Sequence, residues 1–131
     1  MQRPLTARDF MARRLLLLTP EMDLHEAMHR LLEHDVSGAP VVDGRGQLVG
    51  FLSEKDCFRA AFKGSYFQEP AGRVREYMSP EVETIEADTD VVEVVERFYR
   101  SRFRRFPVTA GGRVVGHICR RDVLRVLEDL W

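Results

Sequence analysis

The stretch "GAPVVDGRGQLVGFLSEKD" (Gly38–Asp56) returns later in the chain as "RFPVTAGGRVVGHICRRD" (Arg105–Asp122). Pro40 aligns with Pro107, an offset of 67, and Asp56 with Asp122, an offset of 66. The one-residue difference is a shorter second turn, "TAGGR" against "VDGRGQ". Each stretch reads as two short strands joined by a Gly-containing turn. A helix then follows, led by Ser53 in one copy and Cys119 in the other.

The repeat extends outward in both directions. Upstream, the offset of 67 pairs Met11 with Met78, Asp23 with Asp90, Glu26 with Glu93 and Arg30 with Arg97. Downstream, the offset of 66 pairs Val49 with Val115, Gly50 with Gly116 and Arg59 with Arg125. Each copy opens with a short apolar run, Leu15–Leu18 or Val82–Ile85. A helix comes next, carrying an apolar stripe: Leu24, Ala27, Met28, Leu31 and Leu32 in the first copy, and Val91, Val94, Val95 and Phe98 in the second. Acidic residues near each start (Glu21 and Asp23; Asp88 and Asp90) suit the positive end of a helix dipole. The predicted order per copy is β-α-β-β-α. The copies are set at residues 5–64 and 74–131, with 65–73 as a Gly- and Pro-containing linker.

The bulk numbers exclude several classes. The chain has 131 residues, 44% of them hydrophobic, and a formal net charge of -1. That length buries a core without staples, and that charge gives no general affinity for nucleic acid. Cys57 and Cys119 are too few for a disulfide framework. The run Leu15–Leu18 is too short to cross a membrane. A cytoplasmic protein that does not touch membrane is the expectation.

Within the first helix, His25-Glu26-Ala27-Met28-His29 matches H-E-x-x-H, the zinc-binding spacing of metalloproteases. The repeat argues against it. At the two histidine positions the second copy has Val92 and Glu96, and the helical wheel puts His25 and His29 about 90 to 130° from the centre of the apolar stripe. The residues three and six beyond His29 are Leu32 and Asp35, so the further ligand of the metzincin pattern is missing. No metal is expected. No nucleophile, base and orienting group occur together, so catalysis is not expected either.

The informative motif is the duplicated end of each copy, "GFLSEKD" (Gly50–Asp56) and "GHICRRD" (Gly116–Asp122). A strand ends, a small polar residue starts a helix, and an aspartate follows three residues later. Free N–H groups at a helix start favour phosphate. A carboxylate there can accept from the vicinal hydroxyls of a ribose. Helix capping would use the same residues. Nearby, "RFYRSRFRRFP" (Arg97–Pro107) concentrates five arginines in a nearly neutral chain. Arg104 and Arg105, just before the strand, suit phosphate by their forked donors. Arg97 and Arg100 fit the outer face of a helix beside Glu93 and Glu96. Tyr99, Phe103 and Phe106 read as core and sheet residues, Cys57 as buried filler, and His117 as a satisfied structural residue.

The pieces "VREYMSPEVETIEADTDVVEVVERF", "SGAPVVDGRGQLVGFLSEKD" and "RRFPVTAGGRVVGHICRRD", with their order and duplication, resemble a stand-alone tandem pair of cystathionine-beta-synthase (CBS) domains, the Bateman module. The resemblance covers nearly the whole chain. It implies an α+β fold of two pseudo-twofold-related β-α-β-β-α repeats whose small sheets pack together. It also implies two clefts for adenosine-containing ligands such as AMP, ADP, ATP or S-adenosylmethionine, a regulatory role, a homodimer and a regulated protein partner. Carried over by position, Asp56 and Asp122 would hold the ribose. Ser53 would stand on the phosphate side, where the second copy has Cys119, a departure that removes a hydroxyl. Arg104, Arg105, Arg120 and Arg121 would supply charge. Thr84, Ile85 and Pro107, with Thr19 and Pro40 in the first copy, would meet the adenine. The competing expectation is a dimerisation or scaffold module that binds no nucleotide.

Overall fold

The computed structural model describes residues 5–67 and 72–131. They form two compact units. One is contiguous, Leu16–Val82. The other joins the described residues up to Leu15 to Glu83–Trp131. The sequence copies and the compact units therefore do not coincide: the segment ahead of the first copy's strands packs with the second copy.

In the contiguous unit, α2 (Leu24–Glu33) starts where the Asp23 side chain accepts from the Glu26 N–H at 3.2 Å. That bond satisfies one of the amides a helix start leaves unpaired. Leu24, Ala27 and Leu31 are buried. Leu32, expected in the same stripe, is 79% exposed. At 100° per residue it lies about 80° round from Leu24, off the inner face. Strands β1 (Gly38–Val42) and β2 (Leu48–Ser53) pair antiparallel, with Pro40 opposite Phe51. Leu18 adds one parallel bridge beside Val41, donating to the Pro40 carbonyl and accepting from the Val42 N–H. Helix α3 (Glu54–Phe67) continues into the stretch read as linker. Of that stretch, residues 68–71 lie outside the described residues. Leu18, Leu24, Val41, Leu52 and Val74 centre the core.

In the second unit, β3 (Ile85–Glu86) lies parallel to β4 (Arg105–Ala110), which pairs antiparallel with β5 (Arg113–Cys119). The two-residue turn between β4 and β5 needs positive φ at both positions, and Gly111 (60°) and Gly112 (80°) supply it. Helix α4 (Val91–Arg100) is capped by Asp90, and helix α5 spans Arg120–Leu130. The core gathers Ile85, Val94, Phe98, Phe106, Val108, Ile118 and Val123. Phe106 is buried and meets Phe98 edge-on at 4.9 Å. Tyr99 (89%) and Phe103 (52%) are exposed, against the expectation of core. Tyr99 follows Phe98 on α4, so it turns outward when Phe98 turns in.

A strap crosses each sheet. After the short α1 (Ala7–Phe10), Ala12 exchanges two backbone hydrogen bonds with His117 on β5, at 2.8 and 2.9 Å. Ser79 does the same with Phe51 on β2, at 2.9 Å both ways. Strap and strand touch because β2 and β5 have glycine there. A Cβ on Gly116 would sit 2.6 Å from Met11 Sδ and 2.8 Å from the Ala12 carbonyl. One on Gly50 would sit 2.7 Å from Met78 Sδ and 2.9 Å from the Ser79 carbonyl.

Candidate functional site

The duplicated aspartates stand one turn into the helices that follow β2 and β5. Asp122 Oδ2 accepts from the Cys119 N–H at 2.9 Å and from the Cys119 thiol at 3.2 Å. Its Oδ1 accepts from Arg125 Nη1 at 3.1 Å. Asp56 repeats the arrangement. Oδ2 accepts from the Ser53 N–H and hydroxyl, both at 2.9 Å, and Oδ1 from Arg59 Nη2 at 3.3 Å. The capping role is thus present in both copies. A carboxylate offers about four acceptor positions, so a diol approaching Oδ1 would find one open and a second behind an arginine. That arginine is easier to displace in the second copy. Arg125 is largely exposed, and exposed ion pairs contribute about 0–1 kcal/mol. Arg59 also donates to the Tyr77 carbonyl at 2.8 Å and lies over the Tyr77 ring at 5.4 Å.

The register gathers the basic residues at the start of α5. Arg105 pairs with Cys119 across β4 and β5. The Arg104 carbonyl accepts the Arg120 N–H at 3.0 Å. Arg104, Arg105, Arg120 and Arg121 are all exposed there. Arg120 is partly committed, since its Nε donates to the Phe103 carbonyl at 3.3 Å. Pro107 is buried opposite His117, and Ile85 is buried beside Val108, which puts Thr84 at the level of Pro107. In the first copy, Ser53 and Asp56 stand as described and Pro40 is buried, with no arginine before the strand. Leu18 bridges Val41 as Ile85 pairs with Val108, so the counterpart of Thr84 is Leu17, and Thr19 is exposed beyond the bridge.

Three features escaped sequence reasoning. Arg97 does not simply decorate α4. Its guanidinium lies 5.1 Å from the Phe106 ring centre and donates to the Thr84 carbonyl at 3.0 Å, fixing the start of β3. With Glu83, Arg100, Ser101, Arg102 and Phe103 it lines an open cavity of about 400 Å³. Arg59 and Arg125 hold the aspartates, and their recurrence three residues after each Asp was the available signal. His117, read as satisfied, has a buried Nδ1 with no hydrogen-bond partner. Burial pushes its pKa down. Arg105 adds to that, while Asp122 and a hydrogen bond to the Arg14 backbone oppose it. Cys57 is buried, and burial with Asp56 and Glu54 nearby raises its thiol pKa. His25 and His29 are exposed, and His29 faces Glu33 at 3.4 Å. Among the described residues no cluster of His, Cys, Asp or Glu is placed to hold a metal, and no helix is long and apolar enough to cross a membrane.

A sequence profile of the CBS domain matches residues 7–63 and again 74–129. The chain belongs to the CBS domain family. This CBS pair is similar to CBSX2, a CBS-pair protein of Arabidopsis thaliana whose structure was determined in complex with AMP. The likeness has a TM-score of 0.81 at 26% identity, over 95% of this chain and 97% of that one. The CBS pair of protein MJ0100, solved with 5-methylthioadenosine and S-adenosyl-L-methionine, shares the fold at a TM-score of 0.76 and 22% identity, over 98% of this chain and all of that one. An uncharacterised protein of Methanocaldococcus jannaschii is 29% identical over 124 residues; this CBS pair spans 43% of its length.

Proposed function

We infer that this CBS pair is a regulatory module that binds an adenosyl nucleotide, AMP, ADP or ATP, with the second copy as the stronger site. The observation that carries the reading is the convergence, at the start of α5, of Asp122 and the exposed side chains of Arg104, Arg105 and Arg121. A carboxylate for a diol beside cations for phosphate suits a nucleotide. The AMP complex of CBSX2 supports it. Asp122 Oδ1 would take the ribose, the arginines the phosphates, and Thr84, Ile85 and Pro107 the base. Asp56, Ser53 and Pro40 would form a weaker second site. S-adenosylmethionine is the alternative adenosyl ligand. The module regulates rather than catalyses, by favouring the liganded state as RT ln(1 + [L]/Kd). Leu32, Phe58 and Phe62 in one unit, and Val92, Tyr99 and Leu124 in the other, are exposed apolar residues on helices. A second copy is proposed to cover them, in the cytoplasm, and the state of that dimer would be read by another protein.

A thermal-shift panel with AMP, ADP, ATP, S-adenosylmethionine and GTP tests this. A saturable rise with one adenosyl compound, lost in Asp122→Ala, is expected. One observation favours the scaffold alternative: both aspartates already cap a helix and pair with an arginine. A flat panel with a stable dimer would establish that alternative.

A further inference from the structure

One face of the second copy's hairpin carries a paired exchange of residues. Residues directly opposite on antiparallel strands share a face, as do residues two apart on one strand. Arg105, Pro107, His117 and Cys119 therefore lie on one face of β4 and β5, and Gly38, Pro40, Phe51 and Ser53 lie on the matching face of β1 and β2. In the first copy, the Phe51 ring occupies the space beside Gly38, with Cε1 2.6 Å from where a Cβ would stand. The second copy replaces both members of that diagonal: Gly38 becomes Arg105, and Phe51 becomes His117. An apolar contact has become a cation beside an imidazole, on the face that leads to Cys119 and the start of α5.

The groups around the ring are few. Arg105 faces it from β4, Asp122 from the start of α5, and the strap supplies the Arg14 backbone. Its Nδ1 is buried without a hydrogen-bond partner. What opposes the proton is burial and the charge of Arg105. The second of these is removable. An anion that pairs with Arg105 cancels its repulsion and adds an attractive charge near the ring.

We propose that His117 makes ligand binding in the second copy proton-linked: the ring takes up a proton as an anionic nucleotide settles against Arg105 and the start of α5. This rests on the nucleotide reading above. Linkage is reciprocal, so a ligand that favours the imidazolium binds more tightly as pH falls. The first copy, with Phe51, has no such group. The two sites would then respond differently to acidification.

The test uses AMP. Its affinity is measured between pH 5.5 and 8 for the intact protein, for His117→Phe and for His117→Gln, which keeps a polar, uncharged side chain. The second ionisation of a phosphate falls at about pH 6 and affects all three proteins alike. The ratio of wild-type to variant affinity is therefore the quantity read. That ratio is expected to rise as pH falls, on the order of tenfold for each unit by which AMP raises the pKa of the ring. The His117 ring resonances, followed by NMR, should titrate at higher pH with AMP than without. AMP binding with a flat ratio and an unmoved titration overturns the proton linkage and leaves the nucleotide reading intact. No saturable AMP binding at any pH, in wild type as in the variants, overturns both.

Discussion

Arg125 Nη1 holds Asp122 Oδ1 at 3.1 Å while the other oxygen of the same carboxylate caps Cys119. One side chain thus serves the start of α5 with Oδ2 and leaves Oδ1 tied only to an exposed arginine. The two roles separate by mutation. Asp122→Ala should cost about 1 kcal/mol of stability, the usual loss of a cap, and should abolish nucleotide binding. Arg125→Ala should leave stability nearly unchanged, since exposed pairs contribute little, and should leave nucleotide affinity equal or improved. Denaturant titrations and nucleotide titrations on both variants check this.

Gly116 and Gly44 predict opposite outcomes for the same substitution. Gly116→Ala places a methyl against Met11 Sδ and the Ala12 carbonyl, and the carbonyl is backbone and cannot swing away. A loss of about 1–3 kcal/mol is expected, as for other overpacked sites. Gly44 has nothing within 4 Å of a Cβ, so Gly44→Ala should be close to neutral. Urea midpoints at constant slope distinguish the two.

The pH dependence of stability follows from His117. Its folded pKa lies below 6.5 because of burial and Arg105. Between the folded value and 6.5, the unfolded chain binds more protons than the folded one, so stability rises with pH in that window. The contribution is complete above 6.5 and is lost as pH falls from 6.5 through the folded pKa. Without ligand, His117→Phe should flatten the acid limb of a plot of stability against pH.

Arg97 clamps two elements by geometry that lysine cannot copy. The Arg97 guanidinium sits over the Phe106 ring while donating to the Thr84 carbonyl, whereas an ammonium is a compact point charge. Arg97→Lys and Arg97→Ala should therefore destabilise by similar amounts, about 1 kcal/mol, the scale of such contacts. Amides at the start of β3 should exchange faster in both, as hydrogen exchange would register.

The exposed helical aromatics give a test of assembly. Phe58 and Phe62 are one turn apart on α3 and mostly exposed. Introducing charge with Phe58→Glu and Phe62→Glu should shift the proposed dimer toward monomer without loss of helix content. Sedimentation and circular dichroism read the two quantities separately.

The parts legible in the sequence were those repeated in it. The hairpins, the helices after them and the aspartate caps follow from turn glycines, alternation and cap chemistry, each local and each present twice. What was missed depends on contacts distant in sequence. Nothing near Met11 says that it will meet Gly116, although Met11 and Gly116 each have a counterpart in the other copy, Met78 and Gly50. Arg97 looks like a surface residue until Phe106 folds beneath it. Only strand register shows that Leu17 stands in the first copy where the second has Thr84. The exchange of Gly38 and Phe51 for Arg105 and His117 was visible in the alignment of the copies. Its meaning required knowing that the two positions lie diagonally on one face.

The division of the chain between its two units sets an order of assembly. Residues 16–82 are continuous and can collapse as soon as they have left the ribosome. The other unit cannot. Its strap, residues 5–15, emerges first and must wait while the whole intervening unit is made, until β5 arrives with Gly116 and His117. During that wait, Met11 and the edge of the strap have no partner in their own unit. The nucleotide site proposed at α5 therefore belongs to the later completed of these two units.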